Sequence, residues 1–574
     1  MPYRAPLTEY RFLLDHVVGF DQVAAMPLFA DATPDTVGAV LGEAAKMCEG
    51  VLAPLQRVGD QHPARLENGG VRTPPGFADG YRAIVDGGWV SICASPEFGG
   101  MGLPMALTSA VNEMIGSACL SLQLNPLMTQ GQIEALDHHA SDAIKALYIP
   151  KLISGEWCGT MNLTEAQAGS DVGALRTKAE DNGDGTYAVS GQKIYISWGD
   201  NDFTSNVCHL VLARLPGGGP GTKGISLFMV PKFIPDAQGN AGLRNTLSVV
   251  SLEHKMGLHG SPTAVMQYDR ATGWLIGEAH KGMAAMFTMM NNARLGVGVQ
   301  GVSAAEGAYQ HALAYAMGRK QGQTPMPGND AITGHADVRR MLATMKAEVF
   351  SARALALACA VAIDMARATD APEWHARAAL LVPINKAFGT DTGIAVADMS
   401  IQVHGGMGFI EEAGAAQYLR DVRVTAIYEG TNGIQAMDLV GRKMMDNGEA
   451  AFRLIEEIQT NAHGVRAQYP NMATAVWNAA ESLREATEGL VAQNMNDRFA
   501  GAVAYQRAFG RILGSHYHLC AAMAELGAAG VDGPRTALAR VAIKRLLPEH
   551  AALLAQVREG AAGLYALSDA DLLA

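Results

Sequence analysis

Apolar positions along this chain follow a helical spacing at both ends and a strand-like one in the middle. Pro34-Asp35-Thr36-Val37 opens an apolar-periodic run through Leu41, Ala45 and Cys48, with proline near a helix start, and residues up to about 157 read as helices. From 158 to 277 the character changes. His209-Leu210-Val211-Leu212-Ala213 and Ile225-Ser226-Leu227-Phe228-Met229-Val230 read as strands separated by the loop Gly217-Gly218-Gly219-Pro220-Gly221. Asp184-Gly185, ahead of Thr186-Tyr187-Ala188-Val189-Ser190, signals a hairpin, and Thr263 to Tyr268 is a further strand. No helical run lies between these strands, which predicts an antiparallel β domain rather than βαβ units. Helical spacing returns from Lys281 to about 445, where Met283, Met286, Met289 and Met290 form a stripe suited to core packing. Residues 451–574 are a further helical segment, with its clearest helices at 475–493 and 505–526. The expected organisation is therefore an N-terminal α-helical domain (1–157), a middle β domain (158–277), a helical domain (278–450) and an additional C-terminal helical domain (451–574).

Composition narrows the class. A chain of 574 residues exceeds one ordinary core, and 49% hydrophobic against 17% charged residues places it among compact globular proteins. A net charge of −12 argues against a dedicated nucleic-acid binder. Seven cysteines, none in a C-x-x-C pair, read as reduced thiols of a cytoplasmic protein. The start, Met1-Pro2-Tyr3-Arg4, leads into polar residues and shows no signal peptide. The apolar stretch from Ala354 to Ile363 is ended by Asp364, short of the ~20 residues a membrane span needs.

Two patterns carry no chemistry. Gly296-x-Gly298-x-x-Gly301 matches the dinucleotide fingerprint but follows a methionine-rich helix and lacks the flanking strands; it reads as small residues that let helices approach. His138-His139 and His404 lack further ligands at metal-like spacing, so no metal site is expected. Four other segments are more informative. Cys158-Gly159-Thr160-Met161-Asn162-Leu163-Thr164-Glu165-Ala166-Gln167-Ala168-Gly169-Ser170-Asp171 offers small residues and hydroxyls suited to a polar ring edge or a phosphate, although Ser170-Asp171 is also good N-cap chemistry. Gly191-Gln192-Lys193-Ile194-Tyr195-Ile196-Ser197-Trp198-Gly199 alternates like a strand, with Tyr195 and Ser197 on one face, able to stack on and hydrogen-bond a flat heteroaromatic ring. Gln402-Val403-His404-Gly405-Gly406-Met407-Gly408-Phe409 is a glycine turn. In Ile427-Tyr428-Glu429-Gly430-Thr431-Asn432-Gly433-Ile434-Gln435 an acid follows an apolar stretch, and glycine lets the chain turn. Glu429 can then enter an apolar site, where desolvation makes it a stronger base.

Together and in this order, over roughly residues 80–445, these segments resemble the acyl-CoA dehydrogenase family, with Tyr428-Glu429-Gly430-Thr431-Asn432-x-Ile434-Gln435 the most specific piece. The resemblance implies an α-helical domain, a β domain and a four-helix C-terminal domain holding FAD. It implies FAD contacts at Met161, Leu163, Thr164, Tyr195, Ser197, Arg319, Gln402, Gly406 and Thr431, with Arg319 reaching the cofactor of a neighbouring subunit in a homodimer or higher oligomer. Substrate contacts are implied at Ser170, Arg294, Tyr428 and Gly430. The implied reaction takes an acyl-CoA to its 2,3-enoyl-CoA, Glu429 removing the α-proton while the β-hydride passes to the flavin. An electron-transferring flavoprotein is the implied acceptor. The other position at which relatives carry this glutamate is Ala293 here. Departures are Ala166 where proline is common, Tyr195 for tryptophan, Trp198 for asparagine, and Arg319-Lys320-Gln321-Gly322 without the usual aromatic. Among longer members the layout is most similar to the type acting on 3-(methylthio)propionyl-CoA in dimethylsulfoniopropionate breakdown. The alternatives are a medium- or very-long-chain fatty acyl-CoA dehydrogenase and a DNA-binding flavoprotein of the alkylation-response type. Residues 451–574 hold 11 basic and 12 acidic side chains, leaving no basic face for DNA or anionic lipid.

Overall fold

The structure, a computed structural model, describes residues 3–574; Met1 and Pro2, where the reading of the N-terminus begins, lie outside the described residues. The principal elements begin with α1 (Leu7–His16), α2 (Pro34–Met47) and α3 (Met105–His139). Seven strands follow: β1 (Trp157–Asn162), β2 (Lys178–Asp181), β3 (Tyr187–Ser197), β4 (Asn206–Arg214), β5 (Ile225–Pro231), β6 (Leu247–Leu252) and β7 (Thr263–Ile276). The remaining helices are α4 (Gly282–Gly318), α5 (Ala336–Thr369), α6 (Pro372–His404), α7 (Asn432–Val440), α8 (Glu449–Gly464), α9 (Pro470–Ala492) and α10 (Met495–Ala529). They form two compact units, one of residues 34–293 and one of residues 6–33 with 294–574.

In the first unit the predicted hairpin is present: β2 and β3 pair antiparallel on either side of Asp184-Gly185. β4 and β5 pair antiparallel as well. The long β7 pairs with β3 along its first part and with β5 at its end. Strands β3, β2, β4, β5 and β7 therefore close into a ring filled by Val189, Ile196, Val211, Phe228, Val230, Met266 and Tyr268. The sheet is mixed rather than purely antiparallel: β1 runs parallel to β4, and β2 meets β4 parallel at one residue pair. The chain leaves β1 through the β2–β3 hairpin before returning as β4, and that excursion serves as the crossover a parallel pair requires. In α3, Cys119 leaves the helical conformation (φ −155°, ψ 90°), and the freed amide of Leu120 donates to Gln56 Oε1 at 3.2 Å.

In the second unit α5 and α6 pack on one another, and α10 lies against both. The glycine pattern in α4 serves close approach: a Cβ at Gly298 or Gly301 would strike Asn385 or the backbone of Gly389 in α6. Gly510 and Gly514 in α10 meet Phe388 and Ser351 in the same way. Helix α1 is fastened here as well, since Glu9 pairs with Arg353 and, at 2.8 Å, with Lys346, while Arg353 also holds Glu306 at 2.6 Å. Helix α5 is long and apolar enough to cross a membrane by length and composition alone, but it is buried inside its unit. Of the methionine stripe, Met286, Met289 and Met290 are buried and Met283 is half-buried. No cysteine forms a disulfide; Cys93 and Cys520 are half-buried and the other five are buried.

Candidate active site

In the first unit the end of β1 and strand β3 form one surface. The amide of Ile194 donates to the Thr164 carbonyl at 2.9 Å, and the Lys193 ammonium donates to the Leu163 carbonyl at 3.0 Å. Lys193 is fully buried and pairs with Glu165 at 2.9 Å. The Glu165 carboxylate also accepts from the amides of Arg176 (2.7 Å) and Thr177 (3.0 Å), from the Thr177 hydroxyl (2.6 Å) and from Gln167 (2.7 Å). Burial alone would raise its pKa, but Lys193 and these hydrogen bonds hold it at about 2. This buried pair fixes the 163–165 turn against β3.

Strand β3 does not alternate as its sequence suggests. Tyr195 has φ +60°, and the register with β7 slips between Lys193 and Ile196. This bulge turns Lys193 into the core and leaves Tyr195 61% exposed, with Ser197 half-buried. Among the described residues the hydroxyls of Thr164, Tyr195 and Ser197 have no hydrogen-bond partner. Met161 is half-buried, Leu163 is buried, and Ser170 is exposed on the same loop. Asp171 precedes a single 3-10 turn without capping it, so the N-cap reading of Ser170-Asp171 does not hold. Trp198 is a core residue whose indole donates to the Ser121 carbonyl at 3.2 Å.

In the second unit the turn before α7 presents Glu429. Its φ is +54° and that of Gly430 is +83°, a left-handed pair that glycine eases at only one position. Thr431 caps α7 by accepting from the Ile434 amide at 3.2 Å, and Gln435 donates to the Glu429 carbonyl at 3.2 Å. Among the described residues the Glu429 carboxylate accepts no hydrogen bond and its amide donates none. Burial pushes its pKa up to about 7, against the pull of Arg294 and Lys386. Tyr428, which donates to Gln300, is half-buried beside it. Arg294 is buried with its Nε unpartnered, and burial lowers its pKa. Gln435 Oε1 and Asn385 Oδ1 are further buried atoms without partners.

Arg319 and the glycine turn lie together elsewhere in this unit. Tyr315, one helical turn before Arg319, stacks on His404 at 4.4 Å, and His404 stacks on His311 at 4.8 Å. Arg319 is exposed and donates to Gln321 at 3.3 Å; Gln402 is exposed, and a Cβ at Gly406 would meet open space. Among the described residues no three His, Cys, Asp or Glu side chains gather as a metal site. Sequence reasoning missed Lys386, while Glu165, Lys193, Asn432 and Gln435 stood inside the quoted motifs without an assigned role.

Four family models match the chain: the acyl-CoA dehydrogenase N-terminal domain at 42–156, its middle domain at 160–271, its C-terminal domain at 280–445, and an acetyl-CoA dehydrogenase C-terminal-like domain at 454–568. The 3-methylmercaptopropionyl-CoA dehydrogenase of Ruegeria pomeroyi is 45% identical over 88% of both chains. A broad-specificity linear acyl-CoA dehydrogenase of Mycobacterium tuberculosis is 37% identical over 80% of this chain and 78% of that protein. In fold, the chain is similar to Caenorhabditis elegans ACDH-11 in complex with C11-CoA, with a TM-score of 0.79 at 18% identity over 95% of this chain and 92% of that one. It is also similar to an acyl-CoA dehydrogenase complexed with FAD from Bacillus anthracis, with a TM-score of 0.76 at 20% identity over 98% and 93%.

Proposed function

The chain belongs to the acyl-CoA dehydrogenase family, whose members use FAD to oxidise acyl-CoA thioesters to 2,3-enoyl-CoA, and from that premise we propose that Glu429 is its base and 3-(methylthio)propionyl-CoA its preferred substrate. The observation that carries the first part is the condition of Glu429: a carboxylate without a hydrogen-bond donor, held by a left-handed backbone and brought by burial to about 7. A general base works best with a pKa near the working pH. Ala293, at the other position used by relatives, cannot accept a proton. The free Glu429 amide is suited to donate to the thioester oxygen as enolate charge develops, while the carboxylate takes the α-proton. Arg294 and Gly430 border the same carboxylate, Tyr428 walls it, and Ser170 is free to meet the CoA portion.

The residues present fit FAD. An exposed Tyr195, unpartnered hydroxyls at Thr164 and Ser197, and the backbone around Met161 and Leu163 suit the edge and face of a flavin. Arg319, Gln402, Gly406 and Thr431 suit its more polar parts. Bound FAD supplies the acceptor for the β-hydride. Arg319, charged and exposed, supports a homodimer or higher assembly in which it meets a neighbour's pyrophosphate, and the exposure of Phe409 beside the glycine turn supports a second copy there. An electron-transferring flavoprotein is the proposed onward acceptor.

The substrate proposal is supported by the 45% identity to the Ruegeria pomeroyi protein, which extends over most of both chains. Steady-state kcat/KM for 3-(methylthio)propionyl-, butyryl-, octanoyl- and palmitoyl-CoA tests it. The methylthio substrate is expected to lead, and a preference for any of the others, palmitoyl-CoA above all, would contradict it.

A further inference from the structure

We propose that Lys386 is a positioning residue of this active site, a buried ammonium locked by Asn432 in the field of Glu429 so as to keep that base ionisable near neutral pH. The inference rests on Glu429 being the base. Lys386 sits on α6 with no exposed surface, and its Nζ donates to Asn432 Oδ1 at 2.9 Å. Among the described residues this is the only hydrogen bond of its ammonium, and no carboxylate lies within ion-pair distance. Most other buried cations differ: Lys193 is neutralised by Glu165, Arg353 by Glu9 and Glu306, and Arg511 by Glu348 and Glu549; among the described residues only Arg294, which faces the same Glu429, likewise has no ion pair. A buried charge without a paired counter-ion is costly, so its presence calls for a functional reason.

The lysine is also held in register with the base. Asn432 is the first residue of α7, and its Nδ2 donates to Asp391 Oδ1 at 2.7 Å and Thr390 Oγ1 at 3.0 Å. Lysine only donates, so Asn432 must turn its oxygen towards it. Three residues earlier stands Glu429, joined to α7 by the Thr431 cap and by Gln435. Glu429 faces Arg294 of α4 and Lys386 of α6, while Lys386 faces Glu429, Asp391 and Arg294. Asp391 also faces Arg507 and Arg423, and Arg294 also faces Asp438 and Arg442. Burial draws Lys386 down to about 8, which leaves it mostly charged at the midpoint of the Glu429 titration, about 7. A cation there lowers the pKa of the carboxylate; with Arg294 alone left to oppose burial, that pKa rises further and the base is protonated at neutral pH.

The test compares Lys386→Met, Lys386→Arg and Asn432→Ala in the FAD-loaded enzyme. The rate of flavin reduction by 3-(methylthio)propionyl-CoA is followed against pH, together with infrared titration of the Glu429 carboxyl referenced to Glu429→Gln. Lys386→Met should move the ascending limb and the infrared midpoint to higher pH by about one unit or more. Lys386→Arg should bring both back, and Asn432→Ala should shift them less, in the same direction. The melting temperature of Lys386→Met should not fall, because the buried unpaired charge is gone. An unmoved limb and midpoint, with a lowered melting temperature, would assign Lys386 a packing role and overturn the inference. Should Lys386→Met not fold, Asn432→Ala decides by the same two readouts. If Glu429→Gln itself still reduces its flavin, the reading of the base fails; if it does not and the limb stays put, only the role of Lys386 fails.

Discussion

Glu165 in the β-containing unit and Glu429 in the helical unit are both withdrawn from water, yet their acidities move in opposite directions. Glu165 is surrounded by donors: two backbone amides, a hydroxyl, a carboxamide and the Lys193 ammonium replace the water it lost. Glu429 has no donor at its carboxylate and only distant cations. The first side chain is therefore a permanent anion that holds a turn, and the second is a poised base. What separates them is the number of hydrogen-bond donors each neighbourhood offers.

The comparison can be broken most severely at Glu165. Glu165→Ala leaves Lys193 buried and unpaired and should cost about 3–5 kcal/mol of stability, read by denaturant unfolding. The double variant Glu165→Gln with Lys193→Met replaces the whole pair and should recover much of that loss. A cost for Glu165→Ala below ~1 kcal/mol would mean that the pair does not anchor the turn, since surface pairs contribute no more than that.

At Glu429 the sign reverses. Its folded pKa of about 7 lies above the ordinary 4.5, so its contribution to stability is fully present below pH 4.5 and is lost as pH rises through 7. Glu429→Gln should therefore be more stable than the natural enzyme at pH 8, by about 1–3 kcal/mol, and indistinguishable from it below pH 4.5. For Glu165, held at about 2, the contribution is present above pH 4.5 and is lost only as pH falls through 2. Thermal melts of Glu429→Gln and the natural enzyme across pH 4–8 measure the first difference. A gain independent of pH would show that the glutamate is not desolvated.

The sequence made one side of this comparison far more legible than the other. The Tyr428–Gln435 motif carried its own signal, because an acid between an apolar stretch and a glycine already implies a desolvated carboxylate on a turn. The hairpin at Asp184-Gly185 and the strands at 209–213 and 225–230 were equally local. Lys193 was not legible. Strict alternation puts it on the face of Tyr195 and Ser197, and only the left-handed bulge at Tyr195, set by pairing with β7, turns it inward to Glu165. The parallel β1–β4 pair escaped notice because strand direction depends on where the chain returns after the intervening hairpin. Helix α1 likewise joins the helical unit through Arg353, a partner with no trace in local spacing.

The central claim, that Glu429 is the base, is tested most directly by anaerobic stopped-flow mixing of Glu429→Gln with saturating 3-(methylthio)propionyl-CoA. Glutamine keeps the shape and the backbone amide but cannot take a proton. The flavin should stay oxidised, with reduction slowed by at least ~10²-fold, while substrate still binds and perturbs its spectrum. Bleaching at close to the natural rate would contradict the account and place the base elsewhere.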